Sequence, residues 1–365
     1  MHFPQIGTGR LASASLTAAS LVALGAALAA CGGSDVEVEG DSTVPAGAAT
    51  TTADSAAAAA STAGTLPTVP REGETTGFST PESVKYDPQQ DVYFVTNIDG
   101  NPSAKDNKAF IVKVEAGNIG AFTKFVEAGI NGVELNAPKG MAIVGDTLWV
   151  ADIDVVRGFQ RYTGQPVATV EVPNAVFLND IAADPSSGAL YVTDTGIRFG
   201  ADGSVSQPGP GRIYKIAGGK ATVAASGPSL ARPNGITWDV KNSGFVVAPF
   251  GGKTIGTWRE GDASPTRLAD GPGEFDGIEE HPDGRLFVSS WADSSVYMFD
   301  AGMLHKVVSG VDAPADIGID TKRNRLIVPR FNKNTIEYYP IEGLKQRMVP
   351  PPTPAGPGGQ RPQKS

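Results

Sequence analysis

Arg232-Pro233-Asn234-Gly235-Ile236-Thr237-Trp238-Asp239-Val240 decides the reading of this chain, because five other segments repeat its form. They are Thr80-Pro-Glu-Ser-Val-Lys-Tyr-Asp-Pro, Ala137-Pro-Lys-Gly-Met-Ala-Ile-Val-Gly, Phe177-Leu-Asn-Asp-Ile-Ala-Ala-Asp-Pro, Glu274-Phe-Asp-Gly-Ile-Glu-Glu-His-Pro and Ala313-Pro-Ala-Asp-Ile-Gly-Ile-Asp-Thr. Each alternates like a strand, reaches a polar turn, and leads into an apolar run: DVYFVTN, DTLWVAD, GALYVTD, SGFVVAP, GRLFVSS and NRLIVPR. The third positions are Glu82, Lys139, Asn179, Asn234, Asp276 and Ala315, separated by 57, 40, 55, 42 and 39 residues. Short strands recurring at that period predict an all-β, six-bladed β-propeller. One position per blade then meets its equivalents at the central axis, and here it brings two carboxylates, two amides and one amine.

Outward from the repeats, each blade is expected to be a four-stranded antiparallel sheet. The repeated segment is its inner strand and the apolar run its second, half buried between neighbouring blades. More variable outer strands follow, such as Phe110-Ile-Val-Lys-Val and Arg212-Ile-Tyr-Lys-Ile, with turn residues such as Asp184-Pro185 and Pro282-Asp283-Gly284 between strands. After Thr335-Ile-Glu-Tyr-Tyr the chain enters a Pro-rich tail, so the last blade has only three strands of its own. A strand from the N-terminal side, over Glu74 to Phe78, is expected to close the ring and protect its edge.

The ends carry different information. Arg10 supplies a positive start, Leu11 to Ala30 are small and apolar, and the stretch closes on Leu28-Ala29-Ala30-Cys31. That closure resembles the lipobox of bacterial lipoproteins, so residues 1–31 are read as a signal peptide with Cys31 lipidated. The stretch is too weakly apolar for a retained membrane helix. Gly32 and Gly33 follow the Cys, with no Asp to signal retention at the inner membrane. The expected location is therefore the outer membrane, facing the periplasm. Cys31 is the only cysteine, so an intrachain disulfide is excluded. Residues 32–76 are low in large apolar side chains and read as a flexible linker. Residues 77–343 are the propeller, and 344–365 a disordered Pro/Gly tail. With Arg10 removed, 29 basic residues face 39 acidic ones, and no basic run exceeds Lys322-Arg323. Nucleic acid is excluded as a partner on that charge, and a monomer is expected.

The ring residues resemble the calcium-binding set of the senescence-marker-protein/gluconolactonase family, to which diisopropylfluorophosphatase and paraoxonase are related. The matching positions are Glu82 in Pro-Glu-Ser-Val, Asn179 in Leu-Asn-Asp-Ile, Asn234 in Pro-Asn-Gly-Ile and Asp276 in Phe-Asp-Gly-Ile. The resemblance implies one Ca²⁺ in the central tunnel held by those four side chains. The donor chemistry agrees independently: a hard cation takes about six to eight oxygens, and the set contains no His or Cys of the kind zinc prefers. The implied function is a calcium-dependent hydrolase of a lactone or related small-molecule ester. Asp276 is the candidate base with Asp180 next in line, while Lys139 and Arg330 would bind developing charge or an acidic substrate. Trp291 resembles a pocket wall of diisopropylfluorophosphatase. The chain departs from the family at several places. Lys139 and Asp316 are not standard ligands, Arg330 stands where diisopropylfluorophosphatase carries a His, and the histidine pair of paraoxonase is missing. His281 reads as a solvated turn residue and His305 as part of an outer strand. Gly251-Gly252-Lys253-Thr254 lacks the first glycine of a phosphate loop, which would fall at Val247, and no helix follows it. Asp91, Asp99 and Asp106 are too scattered for an EF-hand. A reading of a different class is a non-catalytic propeller that binds a ligand or protein partner in the cell envelope.

Overall fold

A computed structural model describes residues 66–346. The Cys31 lipobox, the linker before residue 66 and the Pro/Gly-rich end beyond residue 346 lie outside the described residues. Six four-stranded antiparallel sheets follow one another along the chain as the blades of a propeller. Their inner strands are Pro81–Asp87, Pro138–Val144, Leu178–Ala183, Pro233–Asp239, Phe275–Glu280 and Gly318–Asp320. The second strands are Val92–Asn97, Thr147–Asp152, Leu190–Asp194, Gly244–Pro249, Leu286–Ser290 and Arg325–Arg330. Most of these are buried throughout, since sheets cover both of their faces. Among the described residues no helix is long and apolar enough to cross a membrane.

Closure follows the expected route with a shift in register. The strand Gly73–Thr76 pairs antiparallel with Thr335–Pro340 as the fourth strand of blade six. It begins one residue before the expected Glu74 and ends before Phe78. The linker expected over 32–76 is corrected accordingly at its C-terminal end. Leu66 and Val69 pack on the cluster between blades five and six, and Val69 donates its N–H to the Val307 carbonyl at 2.7 Å. At the other end, Leu344 is buried in the same cluster rather than belonging to the tail. These contacts offset the ordering entropy that composition alone assigns to such a segment.

The core is distributed between blades. Val84, Tyr93 and Val112 of blade one meet Ile327, Ile336 and Tyr338 of blade six. Met141, Leu148 and Val150 of blade two meet Phe94 and Ile111 of blade one. Equivalent clusters fill the other four junctions. Trp149 and Trp238, both within strands, pack at the margins of two of them. No disulfide is needed, because every blade buries both faces against neighbours.

One local irregularity aims the site. In five blades the pairing of the inner with the second strand shifts register after its first pair, between Pro81 and Val84, Pro138 and Met141, Leu178 and Ile181, Pro233 and Ile236, and Phe275 and Ile278. The two residues inside each bulge include the repeated third position. A bulge lifts its residues out of the ladder and redirects their side chains, which turns the strand starts toward the axis.

Candidate functional site

Glu82, Lys139, Asn179, Asn234 and Asp276 occupy those bulges and are all buried. Glu82 is 4% and Asp276 5% exposed. Glu82 Oε2 and Asp276 Oδ1 have no hydrogen-bond partner, and the two carboxylates repel each other strongly enough to matter for Glu82. Burial, first, and neighbouring acids, second, hold both groups well above the usual carboxylate range. Asn179 donates its Nδ2 to Thr195 Oγ1 at 3.1 Å, which leaves its amide oxygen as the free end. Orphaned buried carboxylate oxygens are rare in proteins and call for a cation or a proton. Among the described residues no group of three or more His, Cys, Asp or Glu is close enough together to hold a metal ion by itself. The all-oxygen set of two carboxylates and two amides fits a hard divalent cation such as Ca²⁺.

The residue after each ring position governs how closely the inner strands approach. It is Ser83, Gly140, Asp180, Gly235, Gly277 and Asp316 around the ring. A Cβ at Gly235 would stand 2.4 Å from the Asp276 carbonyl oxygen, and one at Gly277 would stand 2.5 Å from the Asp316 Cα. Where the position is not glycine, its side chain stitches blades together. Asp180 accepts the Ile181 N–H at 2.7 Å and, from the next blade, the Ile236 N–H at 2.8 Å. Asp316 accepts the Ser83 hydroxyl at 2.5 Å across the closure between blades six and one. Both lie in the axial cluster, where burial pushes Asp180 well up and Asp316 up to about 7.

Three residues past the ring position, Lys85 of blade one reaches across to Glu279 of blade five, and Thr237 donates to the same carboxylate at 3.3 Å. The tunnel therefore gathers the acids Glu82, Asp180, Asp276, Glu279 and Asp316 against Lys85 and Lys139. Sequence reading placed only part of this group. The rest followed from the same repeat, read one and three positions further on.

The remaining expected site residues are placed as follows. Lys139 is 1% exposed. Its ammonium donates to the carbonyls of Ala137 at 2.9 Å and Pro102 at 3.3 Å and lies 4.1 Å over the Phe177 ring. Burial draws it down to about 8, against the pull of Glu82, Asp152 and Asp194. Two loops roof it: Asn101 Nδ2 donates to the Gly200 carbonyl, and the Phe199 N–H to Ser103 Oγ, both at 3.0 Å. Lys139 thus reaches the ring by charge rather than by an open ammonium. Arg330 is tied to Glu337 at 2.9 Å, which Arg71 also contacts, although its Nε stays unpartnered. Trp291 lies beside Asp276 and lowers its proton affinity, but its indole N–H completes no hydrogen bond. His281 is buried and accepts the Asp283 N–H on Nδ1 at 3.2 Å, so it is a turn residue but not a solvated one. His305 lies in the outer strand Met303–Ser309. Gly251 to Lys253 form the turn between Gly244–Pro249 and Thr254–Trp258, with no helix after it.

No family model matches the sequence, and no curated protein matches it. Its solved structural neighbours include gluconolactonase-type propellers at low identity. A candidate gluconolactonase from structural genomics superposes with a TM-score of 0.55 at 13% identity, covering 75% of this chain and 91% of that one. The gluconolactonase from Xanthomonas campestris gives 0.55 at 16%, covering 76% and 98%. A nidogen/laminin complex gives 0.50 at 19%, covering 63% and 80%. Likeness of this kind establishes the six-bladed fold, which hosts both catalysts and binding modules.

Proposed function

We propose that this protein is a calcium-dependent hydrolase of a lactone or related ester. One observation carries the reading: Glu82 Oε2 and Asp276 Oδ1 are buried without partners at the axis of a propeller whose neighbours include gluconolactonases. Glu82, Asn179, Asn234 and Asp276 would hold the ion. Bound Ca²⁺ supplies Lewis-acid polarisation of the substrate carbonyl and charge stabilisation as the carbonyl oxygen becomes negative. With its unpartnered Oδ1 turned to the ion, Asp276 would take the proton of the attacking water on its second carboxylate oxygen. Trp291 stands beside that carboxylate and bounds the space in which the water sits. Lys139 lends positive charge from behind its roof of loops, and Asp180 holds blades three and four at their spacing. Arg330, paired with Glu337 and with its Nε buried, would contribute by charge rather than by an open donor.

The test is a panel of lactones, aryl esters and phosphotriesters hydrolysed by purified protein with calcium and with chelator. Lactone turnover that chelator abolishes is the expected result. Calcium-saturated Asp276→Asn should lose about two to four powers of ten in rate, the usual worth of a general base. Undiminished turnover by that variant moves the base elsewhere. No turnover of any substrate by the calcium-loaded protein removes the hydrolase and leaves the binding propeller, which the loop roof over Lys139 favours. Anchoring at Cys31 is a separate proposal resting on sequence. Cys31→Ser should release the protein from membranes, and unchanged fractionation would refute it.

A further inference from the structure

A second ring stands above the first. The residue that follows the second strand is Ile98, Ile153, Thr195, Phe250, Trp291 and Phe331 in blades one to six. In five blades its backbone N–H bonds the carbonyl two places before the ring residue. These bonds run from Ile98 to Thr80 (3.1 Å), Thr195 to Phe177 (3.0 Å), Phe250 to Arg232 (2.9 Å), Trp291 to Glu274 (3.0 Å) and Phe331 to Ala313 (3.1 Å). The shared bond sets these residues at one height over the tunnel mouth. From blade four round to blade two their side chains touch in sequence. Phe250 and Trp291 meet edge to face with centroids 5.9 Å apart, and Trp291 and Phe331 are 5.5 Å apart. Phe331 packs on the cluster of Ile98, Ala137 and Ile153. The arc is thus apolar from blade four round to blade two. Thr195 completes the ring, with its hydroxyl committed to the Pro233 carbonyl and to Asn179.

Ile98 and Ile153 are fully buried, whereas Phe250, Trp291 and Phe331 are half-buried and offer open ring surface over blades four to six. A polyhydroxylated ring bound there would find no hydrogen-bond donor for its hydroxyls on the arc, because the Trp291 N–H is buried beside Asp276 and the Thr195 hydroxyl is already committed. Hydroxyls stripped of water and left unpaired weaken binding. An alkyl or aryl group bound there gains by leaving water.

We infer that this site, granted the hydrolase reading on which the inference rests, selects lactones and esters carrying an apolar tail over sugar lactones. The tail lies on Phe250, Trp291 and Phe331 while the carbonyl reaches the ring below.

The comparison uses δ-decanolactone, δ-valerolactone and glucono-δ-lactone with the calcium-loaded full chain, followed by pH-stat. Each fully buried methylene is worth roughly fourfold. A five-carbon tail on a half-open arc should then raise kcat/KM about 10- to 100-fold over δ-valerolactone, with glucono-δ-lactone lowest. Phe331→Ala should erase roughly tenfold of that preference, and Phe331→Leu, which keeps an apolar side chain, should retain most of it. Glucono-δ-lactone turned over as fast as δ-decanolactone overturns the inference and leaves the hydrolase standing. If no lactone is hydrolysed, the hydrolase reading fails by itself. Calorimetry with the δ-lactam bearing the same tail then decides the arc. Binding weakened by Phe331→Ala sustains an apolar-ligand site, and absent or Phe331-independent binding refutes it.

Discussion

Raising the pH of the calcium-free protein should weaken it, the reverse of what paired surface carboxylates do. Asp316 shows why. It is buried at the closure of the ring, accepts the Ser83 hydroxyl, and faces Lys85, Glu279, Asp180, Asp276 and Glu82 in the axial cluster. Burial pushes it up from 3.8 to about 7. The folded chain therefore binds more protons than the unfolded chain between about pH 4 and pH 7. Its stability falls as pH rises through that window. A rise of about three units is worth roughly 4 kcal/mol at most. About two of those units lie above pH 5, worth about 3 kcal/mol, so at about 2 to 4 °C per kcal/mol for a domain of this size the melting temperature in chelator should drop by about 5 to 12 °C between pH 5 and pH 8. Starting at pH 5 avoids the opposite contribution of ion-paired carboxylates such as Asp91, which Arg323 and Lys322 hold far below the usual range. At the proposed calcium site, saturating Ca²⁺ should flatten the curve, because a bound ion would balance the charge that protons otherwise neutralise, and its binding should release protons near neutral pH. Asp316→Asn keeps an acceptor for Ser83 and removes the charge, so it should reduce the drop in chelator. A melting temperature that is constant or rising from pH 5 to pH 8 in chelator, or an unchanged slope in Asp316→Asn, would refute the account.

Three further outcomes follow from the same geometry. Lys85→Met leaves the half-buried Glu279 with only Thr237 and should cost about 1 to 3 kcal/mol in urea unfolding, whereas Lys85→Met with Glu279→Met should recover much of it; equal losses in both would show the pair is not coupled. Gly277→Ala drives a Cβ against the Asp316 backbone, which has no room to give, and should cost about 1 to 3 kcal/mol or more; a neutral effect on the melting temperature would deny the close strand approach. Deletion through Ala63 should leave solubility and melting unchanged, while deletion through Thr76 removes the strand that covers Thr335–Pro340 and should cause aggregation seen by light scattering; a monomeric, cooperatively melting shorter form would exclude closure by Gly73–Thr76.

How far the sequence spoke can be judged residue by residue. The six repeats were legible because strand alternation and turn chemistry are local, and a fixed period survives loops of different lengths. Glu82, Asn179, Asn234 and Asp276 were legible because they fall at one register of that repeat, and the structure brings them to one axis. Lys85 and Glu279 were not paired in advance: they stand 194 residues apart, and only the ring makes them neighbours. Trp291 carries a signal by its resemblance to a pocket wall, and Phe250 and Phe331 occupy its equivalent places after the SGFVVAP and NRLIVPR runs. That signal lies in the repeat itself, one residue past each apolar run.

Lys139 marks the boundary between the two kinds of information. By sequence it is the amine of the ring and a natural anion receptor. Whether that ammonium meets a substrate depends on loops from blades one and three that happen to meet above it, and there it is spent on Ala137 and Pro102 carbonyls. Likewise the boundary near residue 76 looked like linker because Gly73–Thr76 has no apolar periodicity of its own, and its partner strand lies at the other end of the chain. By itself the sequence determined the blade count, the register and the chemical kind of every side chain sent to the axis, since those depend on local pattern and repetition. The tertiary structure alone decided which charges face one another, which are roofed from solvent and where the ring closes, because electrostatic energy and burial depend on distances between segments that the order of residues does not record.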